Sequence, residues 1–304
     1  FDHLMMTTDG STPSFHEDGV IDKCIRAALE AGVRPVDAYN MASYNVARYY
    51  NMTNLHGLIA TGRYANLNVL TDEYSPTPEA VLSKGVWLKR NHQDTKAFPS
   101  VDLSVFESLR IDFDLNESDF QFSMPIGIEM VNDVITKPYN IKNHGYNMNL
   151  STEHDESYLM LVDRNGKWRI NTMIKGFATH VKGFASSYSN TGDIILIGKT
   201  MQDMQHAFHE LKKLNGGIVL VEDGQVVTSL PLKLSGAVYD GEVDDLILLE
   251  LALKSALKKR GYNHSDAIYT LLFLQSTHLP YIRITPRGIF DVMKNTVMLP
   301  AVMR

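Results

Sequence analysis

Two tight-turn dipeptides between apolar runs constrain the fold of this chain more than any other feature. Asn165-Gly166 joins "SYLMLVDR" to "KWRINTM", and Asp223-Gly224 interrupts "GIVLVEDGQVVTSLPL". Asn-Gly and Asp-Gly supply the positive φ angles of the short turns that connect antiparallel strands. The sequence therefore predicts two β-hairpins in its second half.

Helical patterns alternate with these hairpins. Thr200 is the expected N-cap of a helix through "MQDMQHAFHELKKLN", which should end at Gly216-Gly217. A second helix, "EVDDLILLELALKSALKKR", begins with acids and ends with bases, in agreement with the helix dipole. "DIILIGKT" is predicted as a buried strand, and "AIYTLLFLQS" and "YIRITPRGIFDV" as strands or extended segments. This alternation predicts a layered α/β domain.

The first half is less regular. Residues 17–31 carry a helical apolar face, and a second helix should begin at Pro35. "GLIATGRYANLNVL" predicts two short strands around Thr61-Gly62, and "AVLSKGVWLKR" predicts a hairpin that turns at Lys84-Gly85. The pattern weakens from His92 to Ser123, where Pro99 and several polar residues indicate a linker and the domain boundary.

Composition limits the partners. The 304 residues can form two domains, and a net charge of −6 argues against nucleic acid or an anionic membrane surface. No apolar stretch reaches the length of a membrane span. Cys24 is the only cysteine, which excludes an intrachain disulfide and a cysteine-based zinc site, and which suits a reducing, cytoplasmic setting.

Several residues resemble parts of functional sites but have simpler explanations. His206 and His209 have a spacing that can hold a metal, yet no third ligand stands nearby. Asp244-Asp245 fits a helix start, and Gly216-Gly217 fits a helix end better than a phosphate loop. The polar stretch "GFASSYSNTGD", residues 183–193, is most simply a connector, although such loops can line pockets.

Asp9 is the strongest candidate for chemistry. "FDHLMMTTD" is predicted as a strand core with the acid at its C-terminal end, followed by a loop and an amphipathic helix. In a (β/α)8 barrel, that position faces the active site. The same residue also suits a turn or an N-cap, so the pattern alone leaves both interpretations open.

Seven stretches of the sequence carry a family resemblance. "MMTTDGSTPSFHEDGVID", "AYNMASYNVARYYNM" and "HGLIATGRYANLNVL" are similar to the end of the catalytic barrel in adenine deaminases of the amidohydrolase superfamily, in particular the adenine deaminase-like branch. "GFASSYS", "IILIGKTMQDM", "LNGGIVLVEDGQVV" and "LPLKLSGAV" resemble the family's C-terminal domain in the expected order. The resemblance covers nearly the whole chain.

The resemblance implies an α/β fold: a C-terminal remnant of an amidohydrolase (β/α)8 barrel and β-sandwich, followed by a layered α/β C-terminal domain. Residues 1–55 would be the last strand and helices of the barrel, residues 56–98 would be sandwich strands, and residues 99–304 would be the C-terminal domain. The family's histidine and further acidic metal ligands would then lie in a missing N-terminal half. We therefore expect the chain alone to be inactive, and we expect a divalent metal in the full-length enzyme and none bound by this fragment.

The implied reaction is hydrolytic deamination of adenine to hypoxanthine and ammonia in purine salvage. A divalent metal (manganese, iron or zinc) would activate water. Asp9 would be both a metal ligand and the catalytic acid/base. Thr8 and Ser11 would contact the purine substrate. A homo-oligomer in the cytoplasm is expected, without nucleic acid or membrane as partner.

The chain departs from the family pattern at several positions. Gly10 replaces the second Asp of Thr-Asp-Asp, and Ser11 and Thr12 replace a basic residue and a His. Val20 replaces the His of Gly-His-Ile-Asp, and Asn190 begins "NTGD" where His-Asp-Ser-His is common. These departures leave two alternatives open: an amidohydrolase that acts on another cyclic amidine or amide, and a noncatalytic α/β binding or dimerisation domain.

Overall fold

The structure is a computed structural model that describes residues 1–97, 100–141 and 149–304. Pro99, part of the predicted linker, lies outside the described residues. The chain divides into two compact units, Phe1–Val101 and Asp102–Arg304, each with helices and sheets. The predicted α/β class is confirmed in this coarse sense.

Helices dominate the start of the first unit. A short 3₁₀ helix, Pro13–His16, precedes α1 (Ile21–Glu30), α2 (Pro35–Ala42) and α3 (Tyr44–Tyr49). The helix predicted from residues 17–31 is confirmed. The helix predicted from Pro35 begins there but divides at Ser43, whose φ of −138° and ψ of −78° interrupt the helical backbone.

The strand predicted for "FDHLMMTTD" is wrong for this structure. Residues 1–12 form no strand with any described residue. Instead, the Met6 N–H donates to the Met41 carbonyl oxygen of α2 at 3.0 Å, and the Leu4 N–H donates to the Phe1 carbonyl oxygen within the segment. A strand exists only where a neighbouring strand satisfies its backbone groups, and the local pattern cannot supply that neighbour.

The first unit ends in an antiparallel sheet of four strands in sequence order: β1 (Leu67–Val69), β2 (Ala80–Ser83), β3 (Val86–Arg90) and β4 (Gln93–Asp94). The hairpin predicted at Lys84-Gly85 is confirmed, with φ angles of 48° and 80°. Of the two strands predicted around Thr61-Gly62, only the second, β1, forms. Its neighbour is β2, 11 residues further along the chain.

The second unit is organised around a nine-stranded sheet. The strands are β5 (Ile126–Met130), β6 (Thr136–Asn140), β7 (Glu156–Val162), β8 (Trp168–Lys175), β9 (Gly183–Ser186), β10 (Ile194–Gly198), β11 (Gly217–Glu222), β12 (Gln225–Pro231) and β16 (Val302–Met303). Their order in the sheet is β12-β11-β9-β10-β7-β8-β5-β6, and β16 also pairs with β8. Most neighbouring pairs are antiparallel, whereas β5 and β8 are parallel.

Three helices and a smaller sheet accompany the large one. The helices are α4 (Met201–Lys213), α5 (Val243–Lys258) and α6 (Ala267–Phe273). The small sheet is β13 (Ile282–Thr285), β14 (Gly288–Asp291) and β15 (Thr296–Pro300), and 3₁₀ turns occur at Leu103–Val105 and Glu117–Phe120. None of the described helices is both long and apolar enough to cross a membrane.

Both faces of the large sheet are buried, as β7 illustrates. Leu159 and Leu161 belong to a core cluster with Leu253 of α5 and Leu271 of α6. The alternate residues of β7 belong to a second cluster, which includes Phe208 of α4. Because successive side chains of a strand point to opposite faces, burial on both faces makes the strand continuously apolar.

Most local predictions in this unit are confirmed. Both hairpins form; Asp223 and Gly224 have φ angles of 52° and 71°, whereas at the first turn only Gly166 is in the left-handed region. The Thr200 oxygen caps α4 by accepting the Asp203 N–H at 3.3 Å. The strand or extended segment predicted for "AIYTLLFLQS" is wrong, because it contains α6, which Asp266 caps by accepting two backbone N–H groups.

Candidate functional site: the Asp9 turn

Asp9 lies in a tight turn between the extended N-terminal segment and the first 3₁₀ helix. Its φ is 51°, a left-handed conformation that aspartate tolerates better than most residues. Its N–H donates to the Thr7 hydroxyl at 3.0 Å, and the Ser11 hydroxyl donates to the Thr8 carbonyl oxygen at 2.5 Å. The structure therefore brings the three predicted site residues Thr8, Asp9 and Ser11 together in one turn.

The Asp9 carboxylate is exposed, and no described group donates a hydrogen bond to it. Thr12, by contrast, is buried at the end of the turn. An exposed carboxylate with unoccupied acceptor positions can take a proton or bind a cation. The Ser11 hydroxyl uses its proton within the turn, so toward a ligand it can only accept.

The segment that leads to Asp9 is held by α2 and α3. The buried Asn45 side chain donates to the carbonyl oxygens of Phe1 at 3.0 Å and Leu4 at 2.9 Å. Sequence reasoning missed this role. The available signal was an asparagine, a weak helix former, inside a predicted helix.

The "GVID" motif forms a second, purely structural turn. The Asp22 carboxylate accepts the Val20 N–H at 2.8 Å and the Thr77 hydroxyl at 2.7 Å. Burial opposes ionisation, but these hydrogen bonds hold the pKa of Asp22 below its usual value. Gly19 has a φ of 120°, and a Cβ there would lie 2.6 Å from Asp22 Oδ1. The side chain of Val20, which replaces the family's histidine, is exposed.

A cavity of about 460 Å³ lies in the first unit. It is lined by residues from several stretches that carry the family resemblance, including Val20, Asp22, Tyr39, His56 and Asn66. Its volume suits a small ligand. Asp9 is not part of its lining, so the structure does not bring the predicted catalytic carboxylate and this cavity together.

The stretch predicted as a polar connector, residues 183–193, is a loop only in its second part: Gly183–Ser186 form the buried strand β9, and residues 187–193 bond to the segment after α6. The Thr191 N–H donates to Gln275 Oε1 at 3.0 Å, and Asn190 Nδ2 approaches Ser276 Oγ at 3.4 Å. Burial raises the pKa of Asp193, whose carboxylate accepts the Thr191 hydroxyl at 2.6 Å. The connector interpretation therefore holds for residues 187–193 and is wrong for Gly183–Ser186, which pair with β10 on one side and with β11 on the other.

The described residues do not form a complete metal site. Within residues 1–97, 100–141 and 149–304, no group of three or more His, Cys, Asp or Glu side chains could hold a metal ion. His206 faces Glu210 at 3.4 Å on its own helix. A single carboxylate such as Asp9 does not hold a divalent ion by itself.

Comparison with protein families gives two matches. Residues 130–296 match the adenine deaminase C-terminal domain, which is more than half of the chain. Residues 2–88, which include the Asp9 turn and the "GVID" turn, match the amidohydrolase family.

Individual relatives align along the chain. "Putative adenine deaminase YerA" of Bacillus subtilis is 51% identical over 306 residues, covering 100% of this chain and 53% of its own length. "Putative adenine deaminase BH0637" of Halalkalibacterium halodurans is 50% identical over 307 residues with the same coverage. "Adenine deaminase" of Dehalococcoides mccartyi strain 195 is 28% identical over 95% of the chain. The chain spans about half the length of these relatives.

Proposed function

The chain belongs to the adenine deaminase C-terminal domain family, and on that premise we propose that it is part of a hydrolase that converts adenine and water to hypoxanthine and ammonia. The observation that carries the proposal is the order of the family matches, amidohydrolase before adenine deaminase C-terminal domain. Relatives that bear adenine deaminase names align with the entire chain, which supports adenine as the substrate.

Within this reaction, Asp9 is the proton carrier. Its exposed carboxylate takes a proton from the attacking water and delivers it toward the ring or the leaving amine. The hydroxyl groups of Thr8 and Ser11, in the same turn, contact the purine. The bonds from Asn45 to Phe1 and Leu4 support this assignment, because they fix the approach of the chain to the turn.

A divalent metal (manganese, iron or zinc) belongs to the proposal, although the described residues do not complete a site for it. Asp9 is the one carboxylate that this chain would contribute.

In this family setting, residues 1–55 are the barrel portion, residues 56–98 belong to the sandwich and residues 99–304 form the C-terminal domain. The reaction belongs to cytoplasmic purine salvage, a setting that a single cysteine suits.

The test is a chimera in which this chain replaces the matching 53% of the Bacillus subtilis relative. The proposal predicts that the manganese-loaded chimera releases ammonia from adenine and forms hypoxanthine. The unmodified relative serves as the positive control. A correctly folded chimera that leaves adenine unchanged, while the relative deaminates it, would contradict the proposal.

A second candidate substrate class is another cyclic amidine or amide. Two observations favour it: Thr12 is buried, and Val20 presents an exposed apolar side chain where the family places histidine. Adenine, guanine and dihydropyrimidines supplied to the same chimera separate the candidates. The ranking of kcat/KM among them identifies the substrate class.

A further inference from the structure

Helix α5 exposes one continuous stripe that we call the α5 seam: Asp244, Asp245, Leu248, Leu251, Ala252, Ser255, Lys258 and the C-cap Lys259. The opposite side of α5 is buried in the core through Ile247, Leu253 and Leu257. Seam residues recur at intervals of three and four, which is the spacing of a helix–helix contact.

The centre of the seam is apolar and well exposed. Leu248 is 65% exposed and Leu251 is 38% exposed, and Ala252 and Ser255 beside them are small. Small side chains let a second helix approach closely, and the leucines would bury apolar area against it. Leu251, Ser255 and Lys258 also line a cleft of about 520 Å³, which leaves room for an incoming side chain.

The seam is complementary to itself when one helix is reversed. A 180° rotation about an axis that is perpendicular to α5 and passes between Leu251 and Ala252 produces a second, antiparallel helix. Each seam residue of one helix then lies opposite a seam residue of the other. The resulting pairs are Asp244 with Lys259, Asp245 with Lys258, Leu248 with Ser255, and Leu251 with Ala252.

Charge favours this arrangement over others. The four charged residues at the ends of the seam take part in no ion pair with another described residue. Antiparallel packing puts acids opposite bases at both ends, whereas parallel packing would oppose like charges. A twofold axis requires the same patch on both partners, and the seam has that property.

We propose that the α5 seam is a homodimer contact, in which α5 packs antiparallel against α5 of a second copy of this chain. The twofold axis passes between Leu251 and Ala252. This inference is independent of the proposed enzyme function, because it uses no residue of the Asp9 turn.

The oligomeric state of the full chain is the first test, measured by sedimentation velocity at micromolar concentrations. We expect a dimer. Leu248→Asp should raise the dissociation constant of this dimer by about 100-fold, because each dimer contains two copies of the altered contact. Met293→Asp, at an exposed apolar residue away from α5, should leave the dimer unchanged. A monomeric wild-type chain would overturn the proposal.

A charge exchange tests the register. Asp245→Lys and Lys258→Asp should each weaken the dimer by about tenfold. The double variant should recover to within about threefold of wild type, because the acid–base pairing is restored in the opposite sense. If the losses of dimer affinity in the two single variants simply add in the double variant, the antiparallel register is overturned.

Crosslinking tests the axis directly. In a Cys24→Ser background, which removes the only native cysteine, Ala252→Cys should crosslink the dimer through a short bismaleimide. Met293→Cys provides the matched control and should not crosslink. A dimer that forms but does not crosslink at residue 252 would place the contact elsewhere and overturn the proposal.

Discussion

The side-chain amide of Asn45 donates a hydrogen bond to the carbonyl oxygen of Leu4 at 2.9 Å, and the same nitrogen reaches the Phe1 carbonyl oxygen at 3.0 Å. One buried side chain on α3 thus holds the extended segment that leads to Asp9. The "Met-Ala-Ser-Tyr-Asn-Val-Ala" stretch, which contains Asn45, therefore positions the extended segment that leads to the Asp9 turn.

Asn45→Ala should free this segment. The change removes two hydrogen bonds and should destabilise the first unit by about 1–3 kcal/mol. Hydrogen exchange of residues 1–12 measures the effect, and the Met6 N–H should lose protection. Asn54→Ala, at an exposed residue, is the control and should leave exchange unchanged. Equal protection in both variants would show that Asn45 does not hold the segment.

Gly19→Ala and Gly10→Ala form a matched pair of glycine substitutions. At Gly19, the φ of 120° and the close approach to Asp22 should destabilise the first unit by about 2 kcal/mol. At Gly10, a Cβ meets no atom within 4 Å, and φ is not in the left-handed region. Urea denaturation followed by Trp87 fluorescence in a Trp168→Phe background should show a loss only for Gly19→Ala. A comparable loss for both would contradict the described turn.

Lys199 should give the second unit a distinctive pH dependence. It is almost completely buried, and its ammonium group donates to the carbonyl oxygens of His154 at 2.6 Å and of Glu156. Burial lowers its pKa to about 8, although Asp155 and Glu156 act in the opposite direction. In an unfolded chain, the lysine pKa is about 10.4.

The difference in bound protons between the folded and unfolded states sets the direction in which stability changes with pH. Between pH 8 and about 10.4 the unfolded state holds more protons at this site, so the wild-type protein should gain stability relative to Lys199→Met as pH rises. The gain should approach about 3 kcal/mol at the upper end. Thermal or urea unfolding across this pH window measures it, with the exposed Lys167→Met as the charge-removal control. A constant difference between wild type and Lys199→Met would refute the assignment.

The parts of the fold that the sequence predicted depend on local chemistry. The turn at Asp223-Gly224 requires positive φ angles, which that dipeptide adopts at little cost. The Thr200 cap is likewise decided within a few residues, and so is the end of α4, although the helix ends at Lys213 and the first left-handed residue after it is Asn215, with a φ of 58°, just before the predicted Gly216-Gly217. Such features appear directly in the pattern of side chains.

Two of the predictions were wrong for different reasons, one because a local signal was overlooked and one because the segment's hydrogen-bond partners are distant in the sequence. Ala267–Phe273 is a short apolar run whose helical state depends on the Asp266 cap, which the apolar pattern obscured. Phe1–Asp9 was predicted as a strand, yet its backbone partners belong to Met41 and Asn45, more than 30 residues away. For the site, the sequence singled out the turn residues Thr8, Asp9 and Ser11 but not the asparagine that holds their approach.

The most direct test of the central claim is ammonia release from adenine by the metal-loaded chimera carrying Asp9→Asn. Asn keeps the shape of the side chain but removes the proton acceptor, so kcat should fall by at least about 100-fold. Asp18→Asn, at a nearby exposed aspartate, should retain wild-type turnover. Full activity in the Asp9→Asn chimera would contradict the assignment of Asp9 as the proton carrier.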